Sequence, residues 1–465
     1  MSNYVYVKPH PEVRMLEYNG KKRMVLQTRE RKAESHILSR HGYEINSVTL
    51  EILTQFDGTT TYDEIIQYFV DKYPETYESV DEKIKKVFKS LESTSGFKIF
   101  TQDKPVHRKI TIHTNDYMYP MVASVELTEK CNMKCKHCYG SFGDHKSIEM
   151  QKDKLPDLFN SLAEVGIMSV ELTGGDPSVY EYTSDAIDAA FEAGILSVVL
   201  LTNGAHLEDR LIEAILKYKK HMFVQIDLHS LNEEYFNWFT GSVGYLPKVK
   251  ENILKLIGYG VGVRVCSIFT PRNAHEILDI AKWAYEHNAI EYAPSLIVEV
   301  GRASNVYSNH NLFFEDTDRL LNFDAKLGKL YESYPENFIR KTKSDATGNK
   351  PNCGALITSC SIKADGTIKM CAQDTADYLN CNLGNAFSRP LKDLYDDNRS
   401  FLRDFGKLIM PNENMEECKE CKNRHFCANC VLRALLKATE VKGGCAWYNS
   451  NNITDEVRRK FPVSA

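Results

Sequence analysis

Thirteen cysteines in a chain of 465 residues constrain what it can become more than any other feature. A chain this long exceeds what one hydrophobic core usually fills, and it needs no disulfides to hold a fold. The N-terminus, MSNYVYVKPHPEVRM, lacks the apolar stretch of a secretory signal. No run of about eighteen apolar residues offers a transmembrane helix. The expectation is a cytoplasmic protein without a membrane partner, whose thiols bind metal or carry redox chemistry. With 58 basic and 63 acidic residues the net charge is −5, which argues against a nucleic-acid partner.

The cysteines divide the chain into three parts. Residues 1–100 contain none, three stand together at Cys131, Cys135 and Cys138, and nine lie between Cys353 and Cys445. The remaining one, Cys266, sits inside an apolar strand-like run and reads as a core residue.

In the cysteine-free part, residues 12–28 read as two strands around a turn at Asn19-Gly20. Three helices follow. The first starts near Asn46 with Val48, Leu50, Ile52 and Leu53, and stops at Asp57-Gly58. Thr61 with Glu64 and Ser79 with Glu82 form capping-box patterns before the second and third. Such a unit has no catalytic residue types, and on its own is a packing or dimerisation module. The run NSVTLEIL followed by FDGTTTYDEI resembles the leader-peptide recognition domain of ribosomal-peptide maturation enzymes, whose free-standing relative is the pyrroloquinoline quinone peptide chaperone. The resemblance covers roughly residues 10–98. It implies a winged-helix-like domain on which a precursor peptide adds as an extra strand.

From Val122 onward, strands expected at 122–127, 168–172, 196–202, 222–227, 262–268 and 295–300 alternate with helices such as 154–165. Strand–helix alternation means a parallel sheet, and six units suit an open, partial (β/α)6 barrel better than a closed one. Chemistry in such α/β folds collects at the C-terminal strand ends. There the first strand runs into the C-x3-C-x2-C loop, the second into Gly174-Gly175-Asp176-Pro177, the third into Asn203 and the fourth into Asp227. Three thiolates at this spacing can hold an iron–sulfur cluster, or a zinc that borrows a fourth ligand such as His137.

The loop, the glycine turn and the partial barrel resemble the radical S-adenosylmethionine (SAM) superfamily over about residues 119–305. The resemblance implies a [4Fe-4S] cluster on Cys131, Cys135 and Cys138, with SAM on the fourth iron and a 5′-deoxyadenosyl radical as its product. It also implies SAM contacts from Gly174, Gly175 and Asp176, where the family's usual Glu is replaced by the shorter Asp. His137 occupies the family's aromatic position near the adenine, and Asn203 and Asp227 stand where the amino acid or ribose can be met. Asn273 is a further candidate, although with Glu276 it also reads as a helix cap. Arg302 is expected to hold the SAM carboxylate or to be a surface arginine.

Behind a charged helical stretch at 306–350, the C-terminal part reads C-x12-G-x4-C from Cys353 to Cys371. A C-x2-C-x5-C-x2-C run from Cys418 to Cys430 follows, then Cys445. Two C-x2-C pairs alone would suggest a zinc ribbon. The full spacing resembles the cysteine-rich SPASM extension of radical SAM peptide-modifying enzymes, except that the last pair has x2 where x3 is commoner. The resemblance implies two interleaved auxiliary clusters, one on Cys353, Cys371 and Cys430 and the other on Cys418, Cys421, Cys427 and Cys445. Cys360 is expected as the fourth ligand of the first; without it that cluster has an open iron for a substrate thiolate. Cys381 fits no slot.

The expected organisation is leader recognition at 1–100, a linker at 101–118, the radical SAM partial barrel at 119–305, a helical bridge at 306–349, a SPASM domain at 350–450 and a tail at 451–465. The layout resembles sactipeptide and ranthipeptide synthases, which bond a cysteine sulfur of a precursor peptide to a carbon of another residue. That resemblance implies SAM, three [4Fe-4S] clusters, a precursor peptide with a leader and an external electron donor such as flavodoxin or ferredoxin. Other readings are carbon–carbon crosslinking, epimerisation, formylglycine formation, or a non-catalytic iron–sulfur or zinc scaffold. No residue identifies itself as the base that takes the thiol proton.

Overall fold

The computed structural model describes residues 3–8, 10–18, 21–28, 43–95, 97–108, 110–114, 119–143, 147–306, 312–314, 317–335, 337–340, 352–374, 382–412, 415–440, 444–451 and 453–460. The chain forms two compact units, which divide near residue 118.

The first unit holds β1 (Tyr4–Lys8), β2 (Pro11–Tyr18), β3 (Lys21–Thr28), β4 (Tyr43–Ile45), α1 (Ser47–Gln55), β5 (Asp57–Thr61), α2 (Tyr62–Lys72), α3 (Tyr77–Ser95), β6 (Lys98–Gln102) and β7 (Thr111–Thr114). Strands run in the orders β4-β3-β2-β7 and β5-β1-β6. The sequence foresaw β2, β3 and the three helices. The side chain of Asn46 caps α1 by accepting the Thr49 N–H, and Thr61 with Glu64 makes a reciprocal capping box on α2. Helix α3 starts earlier than expected. Thr76 accepts the Ser79 N–H, so Ser79 lies within the first turn and bonds Glu75 rather than capping with Glu82. Val48 is exposed, and α1 packs through Ile52 and Leu53 instead. The expected linker at 101–118 is partly strand: β6 reaches Gln102 and β7 pairs with β2. These strands are too short and polar to announce themselves by alternation.

The second unit begins with β8 (Val122–Thr128), α4 (Leu155–Glu164), β9 (Ser169–Gly174), α5 (Thr183–Glu192), β10 (Ser197–Thr202), α6 (Asp209–Lys217), β11 (Met222–Asp227), α7 (Glu233–Thr240), α8 (Tyr245–Gly258), β12 (Gly262–Phe269), α9 (Ile277–Glu286) and β13 (Glu291–Leu296). Strands β8 to β13 are all parallel and ordered sequentially, as an open (β/α)6 arrangement requires. Burial on both faces explains their near-continuous apolar runs, such as Val198, Val199 and Leu200 in β10. Helix α4 seals one face with Leu155, Leu158, Phe159 and Leu162. The sixth strand lies four residues earlier than expected, because Pro294 is inside it. A proline without an N–H is tolerated there, since β13 is the edge of the sheet.

After α10 (Thr317–Ser333) come β14 (Ser359–Ile362), β15 (Thr367–Lys369), β16 (Asn382–Asn385), α11 (Leu391–Asp397), α12 (Arg399–Phe405), α13 (Arg424–Cys427), α14 (Val431–Glu440), α15 (Ala446–Ser450) and α16 (Asp455–Lys460). Strand β14 pairs in parallel with β8, and β15 and β16 follow antiparallel, giving one nine-stranded sheet. The cysteine-rich part therefore continues the barrel sheet. Val457 of α16 is fully buried. A buried ion pair, Lys369 Nζ to Glu126 Oε1 at 2.5 Å, joins β15 to β8.

Candidate functional site

A cavity opens at the C-terminal ends of β8 to β12. Its walls include Cys131, Cys135, His137, Cys138, Gly174, Gly175, Asp176, Asn203 and Asp227, so eight-tenths of the candidate set from the barrel converges on one place. The three-cysteine loop that follows β8 is clasped from two directions. Lys134 and Lys136 donate their backbone N–H groups to Thr240 and Phe239 at the end of α7, at 2.9 and 2.8 Å. From the other side the Arg302 guanidinium donates to the Cys135 and Phe142 carbonyls at 2.6 and 2.8 Å, and its backbone N–H reaches the Cys138 carbonyl at 2.8 Å.

Arg302 thus shapes the loop through its carbonyls. Asn273 bonds within the protein. It is fully buried, its Oδ1 accepts from the Thr270 N–H and hydroxyl, and its Nδ2 donates to His229 and Ile268 carbonyls. All four bonding positions of the amide are used inside the protein. Nor does it form a capping pair, since Glu276 accepts from Ser230 and Leu231 instead.

The glycine turn is required by close approach. A Cβ on Gly175 would stand 2.1 Å from the Lys130 carbonyl oxygen, so only glycine lets β9 end against the cysteine loop. Asp176 is buried, and its carboxylate accepts from the Ser178 N–H at 2.8 Å, the Asn203 N–H at 2.7 Å and the Thr202 hydroxyl at 2.8 Å. The short arm of Asp serves to bind β9 to β10. Asn203 in turn donates to Asn132 of the cysteine loop at 2.6 Å. His137 stacks on Phe239 with ring centres 4.8 Å apart, and its buried Nδ1 has no hydrogen-bond partner among the described residues.

The cavity is hostile to bare charge. Burial, and then Asp176, push the Cys131 thiol up to about 12, and burial drives Cys135 well above its ordinary value. Burial lowers His137 to about 4, so it is a neutral imidazole. Asp227 rises to about 7 by burial and then by the charge of Asp176. Thiols held this way become thiolates when a metal supplies positive charge.

The arrangement suits a cluster better than a single ion. A tetrahedral zinc with bonds of about 2.3 Å would bring sulfurs to about 3.8 Å from one another. Among the described residues, the one group of three ligand-type side chains within 4.8 Å is His137, Asp227 and His229, with no thiol in it. That trio is not a metal site in this form. His229 Nδ1 accepts the Ile268 N–H at 3.2 Å, so its Nε2 carries the proton. Thiols spread around a cavity match a cluster that offers each ligand a separate iron.

In the C-terminal part the thiols form two electrostatic groups. Cys371 is pushed up to about 12 by burial, then by Cys430, with Cys353 contributing. Cys427, also raised to about 12 by burial, feels Cys445, Cys421 and Cys418, and Cys418 is raised to about 11 by burial, then Cys445 and Cys421. Cys360 stands apart from both. It is buried on β14, where burial pushes its thiol up to about 12 with no contribution from another cysteine. Cys381 lies outside the described residues.

Sequence reading missed Tyr139, Gln225 and Cys266, which all line the cavity. For Gln225 a signal existed, because it stands two residues before Asp227 on β11 and shares its face. Cys266 pairs in register with Asp227, and alternation along β12 turns it to the cavity rather than the core.

A family comparison matches residues 125–284 to the radical SAM superfamily and residues 353–422 to the SPASM iron–sulfur cluster-binding domain. The antilisterial bacteriocin subtilosin biosynthesis protein AlbA of Bacillus subtilis strain 168 is 24% identical, over 89% of this chain and 90% of its own length. The sporulation killing factor maturation protein SkfB of the same strain is 23% identical, over 46% of this chain and 51% of the relative. In fold, the crystal structure of Streptococcus suis SuiB bound to S-adenosylmethionine superposes with a TM-score of 0.61 at 13% identity, covering 95% of this chain and 98% of that one. A three-thiol loop over the strand ends of an open parallel sheet, continued by a cysteine-rich extension, is the arrangement these two matches describe: the chain carries a radical SAM domain at 125–284 followed by a SPASM iron–sulfur cluster-binding domain at 353–422.

Proposed function

We propose that the chain matures a ribosomally made peptide, forming thioether bonds from a cysteine sulfur to a carbon of an acceptor residue. The observation that carries this reading is a three-thiol cavity on a sheet whose continuation, β14 to β16, belongs to a C-terminal part holding two further thiol groups. Likeness to a bacteriocin biosynthesis protein along nine-tenths of both chains supports it.

Cys131, Cys135 and Cys138 would hold the SAM cluster, with Cys353, Cys371 and Cys430 on one auxiliary cluster and Cys418, Cys421, Cys427 and Cys445 on the other. SAM and its cluster would supply hydrogen-atom abstraction at the acceptor carbon, and as the C–S bond forms the thiol proton would pass to solvent and the surplus electron to an auxiliary cluster. The chain's own residues position and exclude. The glycine turn brings β9 against the loop, Arg302 and α7 fix the loop carbonyls, and neutral His137 offers an apolar ring face with one unsatisfied nitrogen. Asp227, poised near 7, supplies negative charge facing a sulfonium or ammonium.

The first unit would bind the leader of the precursor as an added strand. A SuiB structure carries its precursor peptide SuiA, with a TM-score of 0.61 to this chain at 14% identity, which supports a peptide substrate. The low-potential electron would come from a flavodoxin or ferredoxin.

Anaerobic reconstitution tests the assignment. Three clusters bring about twelve irons per chain, and 5′-deoxyadenosine should form faster when precursor peptide is added. Bound zinc with no SAM cleavage would overturn it.

A further inference from the structure

Beneath the rim of the cavity lies a second layer of inward-facing side chains. Asp227 ends β11 at the rim, and Gln225, on the same face, is two residues or about 6–7 Å deeper. Register places Leu201 of β10 on one side of Gln225 and Arg264 of β12 on the other, with Glu291 of β13 next to Arg264. Thr173 and Glu126 continue the row across β9 and β8. Thr173, Leu201 and Gln225 line the cavity. The charged members are buried and already paired, Glu126 with Lys369 and Arg264 with Glu291. Charge in this floor is therefore cancelled at both ends of the row.

Gln225 has hydrogen-bonding capacity to spare. Arg264 Nη1 donates to its Oε1 at 3.3 Å, and because a guanidinium only donates, the amide atom facing it must be the oxygen. The amide nitrogen, with two N–H donors, is thereby turned away from the ion pair and makes no hydrogen bond among the described residues. The Arg264 guanidinium is itself fixed, by Glu291 and by the Phe223 ring 4.5 Å from it. The cavity wall thus carries an oriented amide donor that the protein does not use.

We propose that the Gln225 amide nitrogen donates to the backbone carbonyl oxygen of the acceptor residue in the precursor peptide, with Arg264 and Glu291 as its positioning residues. The inference rests on the reading that this cavity takes a peptide. The rim residues Gly175, Asp176, Asn203 and Asp227 are those expected for SAM, so the deeper layer faces the second occupant of the cavity. A charge-cancelled floor with one oriented amide suits a neutral acceptor atom, and Leu201 beside it suits the carbon skeleton. Every residue of a peptide carries such a carbonyl, so the contact sets how deep the chain sits without selecting its side chain.

The test uses the reconstituted holoenzyme with SAM and no reductant, and reads the Kd of fluorescently labelled precursor peptide by anisotropy. Gln225→Leu should weaken binding about threefold to tenfold, the loss of one neutral hydrogen bond. Gln225→Glu keeps the shape and the bond from Arg264 but has no N–H, and should weaken binding at least as much. Iron content, and SAM affinity by equilibrium dialysis, should match the unsubstituted enzyme in both variants. A precursor with an ester in place of the amide at the acceptor carbonyl offers a poorer acceptor there. It should bind the unsubstituted enzyme more weakly than the amide peptide, whereas Gln225→Leu should bind the two peptides alike. Unchanged precursor affinity in both variants, an ester effect of equal size with and without the Gln225 amide, or lost SAM affinity in place of lost peptide affinity would overturn the assignment. A precursor that the unsubstituted enzyme neither binds nor modifies would instead overturn the reading beneath it.

Discussion

The Lys369–Glu126 pair offers a measurable energy, because it joins the barrel to the cysteine-rich extension with both side chains 2% exposed. At 2.5 Å and an effective dielectric of about 20, its attraction is about 6–7 kcal/mol. Desolvation offsets several kcal/mol per ion, so the net value of the pair is small. Burial raises Glu126 by more than Lys369 lowers it, in keeping with that balance. Breaking the pair is a different matter. Lys369→Met strands a carboxylate, at an expected cost of about 3–5 kcal/mol at pH 8. At about 2 °C per kcal/mol for a large unit, the melting transition falls by about 6–10 °C. The double variant Glu126→Gln with Lys369→Met should recover most of that loss. In Lys369→Met the carboxyl's folded pKa is raised, so its stability contribution is full below the unfolded value near 4.5 and is lost as pH rises through the folded value. The penalty should therefore shrink at pH 5. Differential scanning fluorimetry across pH on the four variants of the cycle decides it. A Lys369→Met melting point unchanged at pH 8, or a double variant no better than the worse single, would refute the reasoning.

Cys360→Ala should retain the full iron content while Cys371→Ala loses one cluster, since Cys371 feels Cys430 and Cys353 whereas no cysteine contributes to the shift of Cys360; equal iron loss in both would make Cys360 a ligand. Gly301, with φ of +59° and room for no Cβ within 2.0 Å of the Tyr139 carbonyl oxygen, cannot become Ala without displacing the loop. Gly301→Ala should lower cluster absorbance while circular dichroism stays unchanged. Removing residues 1–100 should weaken precursor binding, read by fluorescence anisotropy of labelled peptide, and leave uncoupled SAM cleavage in place.

What the sequence disclosed follows physical lines. Thiols, glycine turns and caps were legible because each is a local requirement, as in the Thr61–Glu64 box or the glycine that β9 needs against Lys130. Residues whose role depends on distant partners were not. Arg302 meets carbonyls about 160 residues away in the chain, and nothing beside it announces them. Asn273 has a cap-like spacing, yet its amide is consumed by β12 and His229. The joining of β14 to β8 is a pairing across more than two hundred residues, so the extension read as a separate domain. Cys266 shows how an apolar strand hides a cavity-facing thiol when only alternation separates the two faces.

The central claim is that this cavity directs a radical at a peptide to bond sulfur to carbon. The direct measurement is tandem mass spectrometry of the precursor after anaerobic incubation with reconstituted enzyme, SAM and reductant. The account requires loss of two hydrogens per crosslink, with fragmentation placing the bond between a cysteine and its acceptor residue. An unchanged peptide mass alongside productive SAM cleavage would contradict it.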